Sequence, residues 1–343
     1  MTLKSTLSYV GCCGLVAALL WSASMSVAAR PEDPIRIAFI SNNAFDFWTI
    51  AEKGCQKAEK EFKVEVITRR PAKGTPVEQR RIIEDLLTKG VHGIAISPND
   101  ASNQKEFLDE VARKVPLITQ DSDLPPGSKR LCYIGTNNFE AGRSAGELVK
   151  KALPNGGQIM IFVGKLDVQN AIERRNGVIA ALAGVKTLDE AQNLATNSYP
   201  LQIGAYVILG TRTDNADRAK CKSNAEDTLV KYPQVGCLVG LWEYNPPALL
   251  AAVKDAGKEG RVQVVGFDEN EETLQGIKDG YIQGTIVQQP FEFGYQSVRI
   301  LAAIARGDRS VIPSNGIQFV PHREINRANV EAFRTELREL KGK

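Results

Sequence analysis

The feature that most constrains this chain is a rhythm. From Ile35 onward, short β-branched runs alternate with stretches whose apolar residues recur every three or four positions. Residues 35–40 read as a strand, and Trp48, Ala51, Cys55, Ala58 and Phe62 form the helical stripe that follows it. Strands at 64–68, 91–97 and 116–119 continue the series. One helix between them carries Ile82, Ile83, Leu86 and Leu87 and ends at Gly90, where a residue free to take positive φ is expected past a helix C-terminus. Strict alternation of this kind predicts a parallel sheet covered by helices on both faces.

After a Pro125-Pro126-Gly127 turn and a strand near 131–134, the rhythm restarts. Helices are predicted at 139–153, 171–183, 217–231, 246–256 and 271–278, alternating with strands at 159–163, 206–209, 235–241, 262–267 and 282–288. Residues 188–204 fit no periodic pattern and read as a surface insertion. Residues 326–343 read as a charged amphipathic helix capped by Asn326, with Val330, Phe333, Leu337 and Leu340 along one side. Two consecutive series predict an α/β protein of two doubly wound lobes, and 343 residues suffice for each lobe to bury its own core.

Composition narrows the function. Hydrophobic residues make up 43% and charged residues 24%, as in a soluble globular protein. A formal net charge of +3 gives no basis for a polyanion-binding surface, so no nucleic-acid partner is expected. Residues 1–29 differ from the rest: Lys4 is their one charge, an apolar run spans 11–21, and small residues follow. That is the pattern of a secretory signal peptide, cleaved after Ala28 or Ala29. Cys12 and Cys13 would leave with it. Cys55, Cys132, Cys221 and Cys237 would remain in an oxidising compartment, either as Cys55–Cys132 and Cys221–Cys237 bridges or as four buried thiols. With His92 and His322 as the only histidines, and no Cys-x-x-Cys pair, no metal site or cofactor is expected.

In doubly wound sheets ligands sit beyond the C-terminal ends of the strands. After the first strand comes Ser41-Asn42-Asn43-Ala44-Phe45-Asp46-Phe47-Trp48, without the glycines that a dinucleotide pyrophosphate requires. The amides of Asn42 and Asn43 and the rings of Phe47 and Trp48 suit a ligand with apolar C–H faces and a rim of hydroxyls. For Trp48, which heads the apolar stripe, core packing is an equal reading. Asp121 ends the fourth strand, where a carboxylate can accept from two neighbouring hydroxyls at once. Asn170, Arg174, Trp242, Asn245, Asp268 and Gln288 occupy corresponding places later in the chain.

Gly266-Phe267-Asp268, the run from Thr285 to Pro290, the run from Pro116 to Asp121, and Glu173-Arg174-Arg175-Asn176-Gly177 together resemble the periplasmic sugar-binding proteins related to the ribose-binding protein. The resemblance covers essentially all of the chain after the leader. It implies a type I periplasmic binding fold in which the chain crosses three times between lobes, serving an ABC importer in the inner membrane. Family ligand positions would fall on Phe47, Trp48, Asp121, Trp242, Asp268 and Gln288. Two family arginines are replaced here by Ser122 and Ile172, leaving Asn170 or Arg174 to substitute, and Trp242 stands where the ribose binder has a smaller amide. The resemblance thus implies a periplasmic, monomeric, non-enzymatic receptor for a monosaccharide or similar small polar molecule, with a pyranose favoured over ribose. A ligand sensor for a chemoreceptor or kinase, and a carbohydrate-acting enzyme, are the alternatives.

The expected hinge crossings lie at Asn137-Asn138, with Asn137 close to the ligand, at Asp268-Glu269 and at Gln288-Gln289. The corresponding lobes are 35–137 with 289–316, and 138–288 with 317–325, followed by the C-terminal helix.

Overall fold

The computed structural model describes residues 34–195 and 198–342, and the leader reading at 1–29 lies outside them. The first series forms β1 (Arg36–Ile40), α1 (Phe47–Phe62), β2 (Glu65–Arg69), α2 (Pro76–Thr88), β3 (Gly93–Ile96), α3 (Ala101–Ala112), β4 (Leu117–Gln120) and β5 (Tyr133–Gly135). Two of its helices begin where the sequence supplies caps: for α2, Thr75 Oγ1 accepts from the Glu78 amide ahead of Pro76, and for α3 the Asp100 carboxylate accepts from the Asn103 amide. The second series comprises α4 (Asn138–Ala152), β6 (Gly157–Val163), α5 (Gln169–Ala183), α6 (Leu188–Leu194), β7 (Leu201–Ile203), β8 (Tyr206–Thr213), α7 (Arg218–Lys231), β9 (Val235–Gly240), α8 (Asn245–Asp255), β10 (Gln263–Phe267), α9 (Glu271–Asp279) and β11 (Ile282–Val287). Then come α10 (Pro290–Ala305), β12 (Ile317–Phe319), β13 (Arg323–Ile325) and α11 (Val330–Lys341).

The strands form two sheets. The first, in the order β12-β5-β4-β3-β1-β2, is parallel throughout. The second, β13-β11-β10-β9-β6-β8-β7, is parallel at its centre, with β13 and β7 antiparallel at its edges. Alternate residues of one strand enter different cores: Ile37 and Phe39 of β1 pack on one face, Ala38 and Ile40 on the other. Met160 and Phe162 likewise oppose Ile159, Ile161 and Val163 across the second sheet. This burial on both faces is why the strands read as continuous apolar runs.

The chain passes between sheets at Thr136–Asn137, at Gln288–Gln289 and at 320–322. Two sequence expectations change accordingly. Asp268-Glu269 is not a crossing, because β10 and β11 lie in the same sheet with α9 between them. Residues 317–319 belong with the first sheet, since β12 pairs with β5, so the last crossing falls after Phe319. Residues 188–204 are not a featureless insertion. They contain α6, begun by a Thr187/Glu190 capping box, and β7, both too short to show a period. The last helix starts at Val330 and not at Asn326, whose side chain accepts from the Ala328 amide in the turn before it.

Cys55, Cys132, Cys221 and Cys237 are free, buried thiols. Cys221 and Cys237 pack in cores on opposite faces of the second sheet, which keeps them apart. Among the described residues, no helix is long and apolar enough to cross a membrane, and no cluster of side chains could hold a metal ion.

Candidate functional site

The residue after β4 and the residue after β10 share an unusual backbone. Asp121 has φ of 60° and Asp268 has φ of 62°, in the left-handed region that costs non-glycine residues about 1–3 kcal/mol. Asp is among the residues that tolerate it best, because its short side chain can bond locally. The turn aims each carboxylate along the end of its own sheet, one in each lobe, and both are more than nine-tenths buried.

In the first lobe, Asp121 Oδ2 accepts from Ser97 Oγ at 2.9 Å and, at longer range, from Ser122 Oγ at 3.3 Å and Asn42 Nδ2 at 3.4 Å. Tyr133 donates its hydroxyl to the Asp121 carbonyl at 2.9 Å, pinning the turn. Asn42 is oriented in turn by Trp48, whose indole N–H donates to Asn42 Oδ1 at 3.0 Å, and by Asn43, whose amide donates to the same oxygen at 2.7 Å. Trp48 is 2% exposed and packs edge-on against Phe39 and Phe47, so it belongs to the core and acts on the cleft through Asn42. Phe47 is half-buried, with one side against Trp48 and Phe293. Phe45, on the same loop, is 59% exposed.

In the second lobe, Asp268 Oδ1 accepts from Gln288 Nε2 at 3.0 Å, and Arg174 Nη1 lies 4.0 Å from its other oxygen. Arg174 is almost wholly buried. It donates from Nε to Asn138 Oδ1 at 2.9 Å and from Nη1 to the Leu241 carbonyl at 3.0 Å, and its guanidinium stacks over Phe267 at 3.9 Å. Trp242 lies across the end of β6. A Cβ on Gly164 would sit 1.8 Å from its ring, so glycine at that position makes room for the indole. Its N–H donates to Asn170 Oδ1 at 3.2 Å.

Asn245 is fully buried; its Oδ1 accepts from the Trp242 backbone amide at 2.8 Å and its amide donates to Asp214, so its polar atoms are engaged in positioning Trp242. Asn137 caps α4, accepting from the Glu140 amide at 3.1 Å.

Electrostatics join the lobes. Burial pushes the Asp121 carboxyl up, offset by its bond from Ser97 and by Arg174 of the other lobe. Burial likewise raises Asp268 to about 6 against the pull of Arg174 and Gln288. Arg174 itself is lowered by burial and held up by Asp268 first and Asp121 second. Gln288 Oε1 and Thr136 Oγ1, at two of the crossings, are buried without a hydrogen-bond partner. The arrangement offers acceptors at both lobes, a cation beside them and aromatic faces.

Sequence reasoning passed over Ser97 and Asn138 as contacts. Ser97 directly follows β3, where polar residues after strands were the signal to use. Asn138 had been placed at the hinge, and only the fold shows that it holds Arg174.

A family model described as a periplasmic binding protein domain matches residues 37–309. The ribose import binding protein of Salmonella typhimurium is 24% identical over 298 residues, covering 86% of this chain and 92% of that protein. The D-allose-binding periplasmic protein of Escherichia coli is 24% identical over 309 residues, covering 88% and 92%. Among solved structures, an ABC transporter solute binding protein from Burkholderia graminis in complex with D-arabinose is 29% identical, with a TM-score of 0.76 over 86% of this chain and 96% of that one. With the family model spanning most of its length and the fold matching over 86% of it, this chain belongs to the periplasmic binding protein domain family.

Proposed function

We propose that the protein is a receptor that captures a monosaccharide between its lobes and presents the closed form to an ABC importer. The observation that carries this reading is that Asp121 and Asp268 stand at matching strand ends of different sheets, with Arg174 4.0 Å from Asp268 and its charge also felt at Asp121. Each carboxylate can accept from vicinal hydroxyls, and Arg174 balances them without itself being consumed by either. Trp242 and Phe47 supply faces for a sugar's C–H groups. A ligand touching both lobes favours the closed state by its extra contacts there, and closure is what a membrane partner can read.

The relatives' names, which specify ribose and D-allose binding, support the sugar class and a periplasmic site of action. We take the protein to act as a monomer, by binding and not by catalysis, with the importer's permease as its partner. The test is a thermal-shift panel of pentoses, hexoses, polyols and amino acids, since a ligand of the folded state raises the melting temperature. A rise with one or two monosaccharides is expected. A response confined to amino acids would retire the sugar assignment.

A further inference from the structure

Glu269 directly follows Asp268 in the loop after β10. It is 7% exposed, and neither carboxylate oxygen has a hydrogen-bond partner. An uncompensated buried acid is expensive and calls for a partner. It lines a cavity of about 230 Å³ whose walls come from both lobes: Ile50 of α1, Pro290 and Phe291 at the start of α10, and Phe333, Leu337 and Leu340 of α11. The cavity also holds Glu292 and Glu336 against a single guanidinium, Arg323. Arg323 is already spent, donating to Glu336 at 2.7 Å. The space is therefore apolar along its walls and short of positive charge at its polar end.

We propose that this cavity is a second binding site, for a primary ammonium ion carrying a short alkyl chain, with Glu269 as its counter-ion. Each water-sized share of liquid volume is about 30 Å³, so the cavity has room for an ammonium group and roughly four or five carbons. The alkyl chain would lie against Ile50, Phe333 and Leu337, and the ammonium would supply the donors that Glu269 lacks. Because the walls include the Gln288–Gln289 crossing, a guest here biases any motion between the lobes; this consequence, unlike the site itself, rests on the receptor reading above.

Proton linkage gives the site a signature. Burial raises the Glu269 carboxyl well above its ordinary range, and Asp268 beside it raises it further. The charges facing it are Asp268 and Glu243 from neighbouring loops, Lys341 and Glu336 from α11, Glu292 from α10 and Arg323 from β13, of which Lys341 opposes the rise. Binding a cation then releases the carboxyl proton to solvent, so affinity strengthens as pH rises.

The experiment is calorimetric titration of the purified protein with n-butylammonium chloride at about pH 6 and about pH 9, without sugar, for the wild type, Glu269→Gln and Leu337→Trp. Glu269→Gln keeps shape and removes the buried charge, so it tests the counter-ion without threatening the fold. Saturable binding to the wild type is expected, tighter at the higher pH and weakened about tenfold or more in both variants. No binding to the wild type, or wild-type affinity in Glu269→Gln, overturns the proposal. Amine binding in a protein that takes no monosaccharide would uphold this site and retire the sugar reading.

Discussion

Gln288 donates its side-chain amide to the Asp268 carboxylate at 3.0 Å, and both groups are buried where the chain leaves the second sheet for the first. One residue thus sits at a crossing between the sheets and in the proposed binding site. Its other amide atom, Oε1, is buried and has no hydrogen-bond partner. Gln288→Ala is expected to weaken sugar binding about tenfold, the worth of one hydrogen bond to a charged group. Gln288→Glu should weaken it further by setting a second carboxylate beside Asp268. Titration calorimetry of the two variants gives the order, and equal, undiminished affinity in both would remove Gln288 from the site.

Arg174 is predicted to serve stability and binding together. Arg174→Met leaves Asp268 and the Asn138 amide without their buried partner, at a cost of about 3–5 kcal/mol of folding free energy. Urea unfolding should show the unfolding free energy falling by that amount and the midpoint falling with it, with sugar affinity lost in the protein that remains folded. A midpoint within error of the wild type would mean that the guanidinium is not holding the second lobe's cleft together.

Trp242 depends on a neighbour's lack of a side chain. In Gly164→Ala the new methyl group would overlap the indole, so Trp242 must swing off the end of β6. Overpacking of this kind costs about 1–3 kcal/mol, and affinity is expected to fall by about tenfold with a shift in tryptophan fluorescence. Unchanged affinity and emission would show that the ring is not part of the pocket wall.

Acid should act on the cleft through Asp268, whose carboxyl burial raises to about 6 from an ordinary value of 3.8. The fold prefers the neutral form. Its contribution to the stability of the unliganded protein is therefore full below that ordinary value and is lost as pH rises through about 6. Ligand affinity runs the other way, because the ionised carboxylate is the stronger acceptor: it should be full above about 6 and decline below. Binding measured across this range should show the decline in the wild type and a flat, weaker profile in Asp268→Asn. A wild-type profile that is itself flat would contradict the role given to this carboxylate.

Much of this was legible in the chain because the fold writes itself in period. Strands buried on both faces read as apolar runs, and helices such as α1 show their stripe at Trp48, Ala51, Cys55 and Ala58. The places of Asp121, Asp268 and Gln288 followed from the rule that ligands gather at strand ends. What escaped was short or indirect. Strands β7, β12 and β13 span three residues each and cannot show an alternation, so the last crossing was misplaced. Asn245 and Trp48 carry polar atoms near the site, yet spend them on orienting Trp242 and Asn42, which only the packed structure reveals.

The central claim is that one small sugar is held by carboxylates from both lobes at once. It is tested most directly by calorimetric titration of the sugar that gives the largest thermal shift, using the wild type, Asp121→Ala and Asp268→Ala. Each substitution removes charged hydrogen bonds worth about 1.5–3 kcal/mol apiece, so affinity should fall by roughly tenfold to more than a hundredfold in both. Wild-type affinity in both variants would contradict the account.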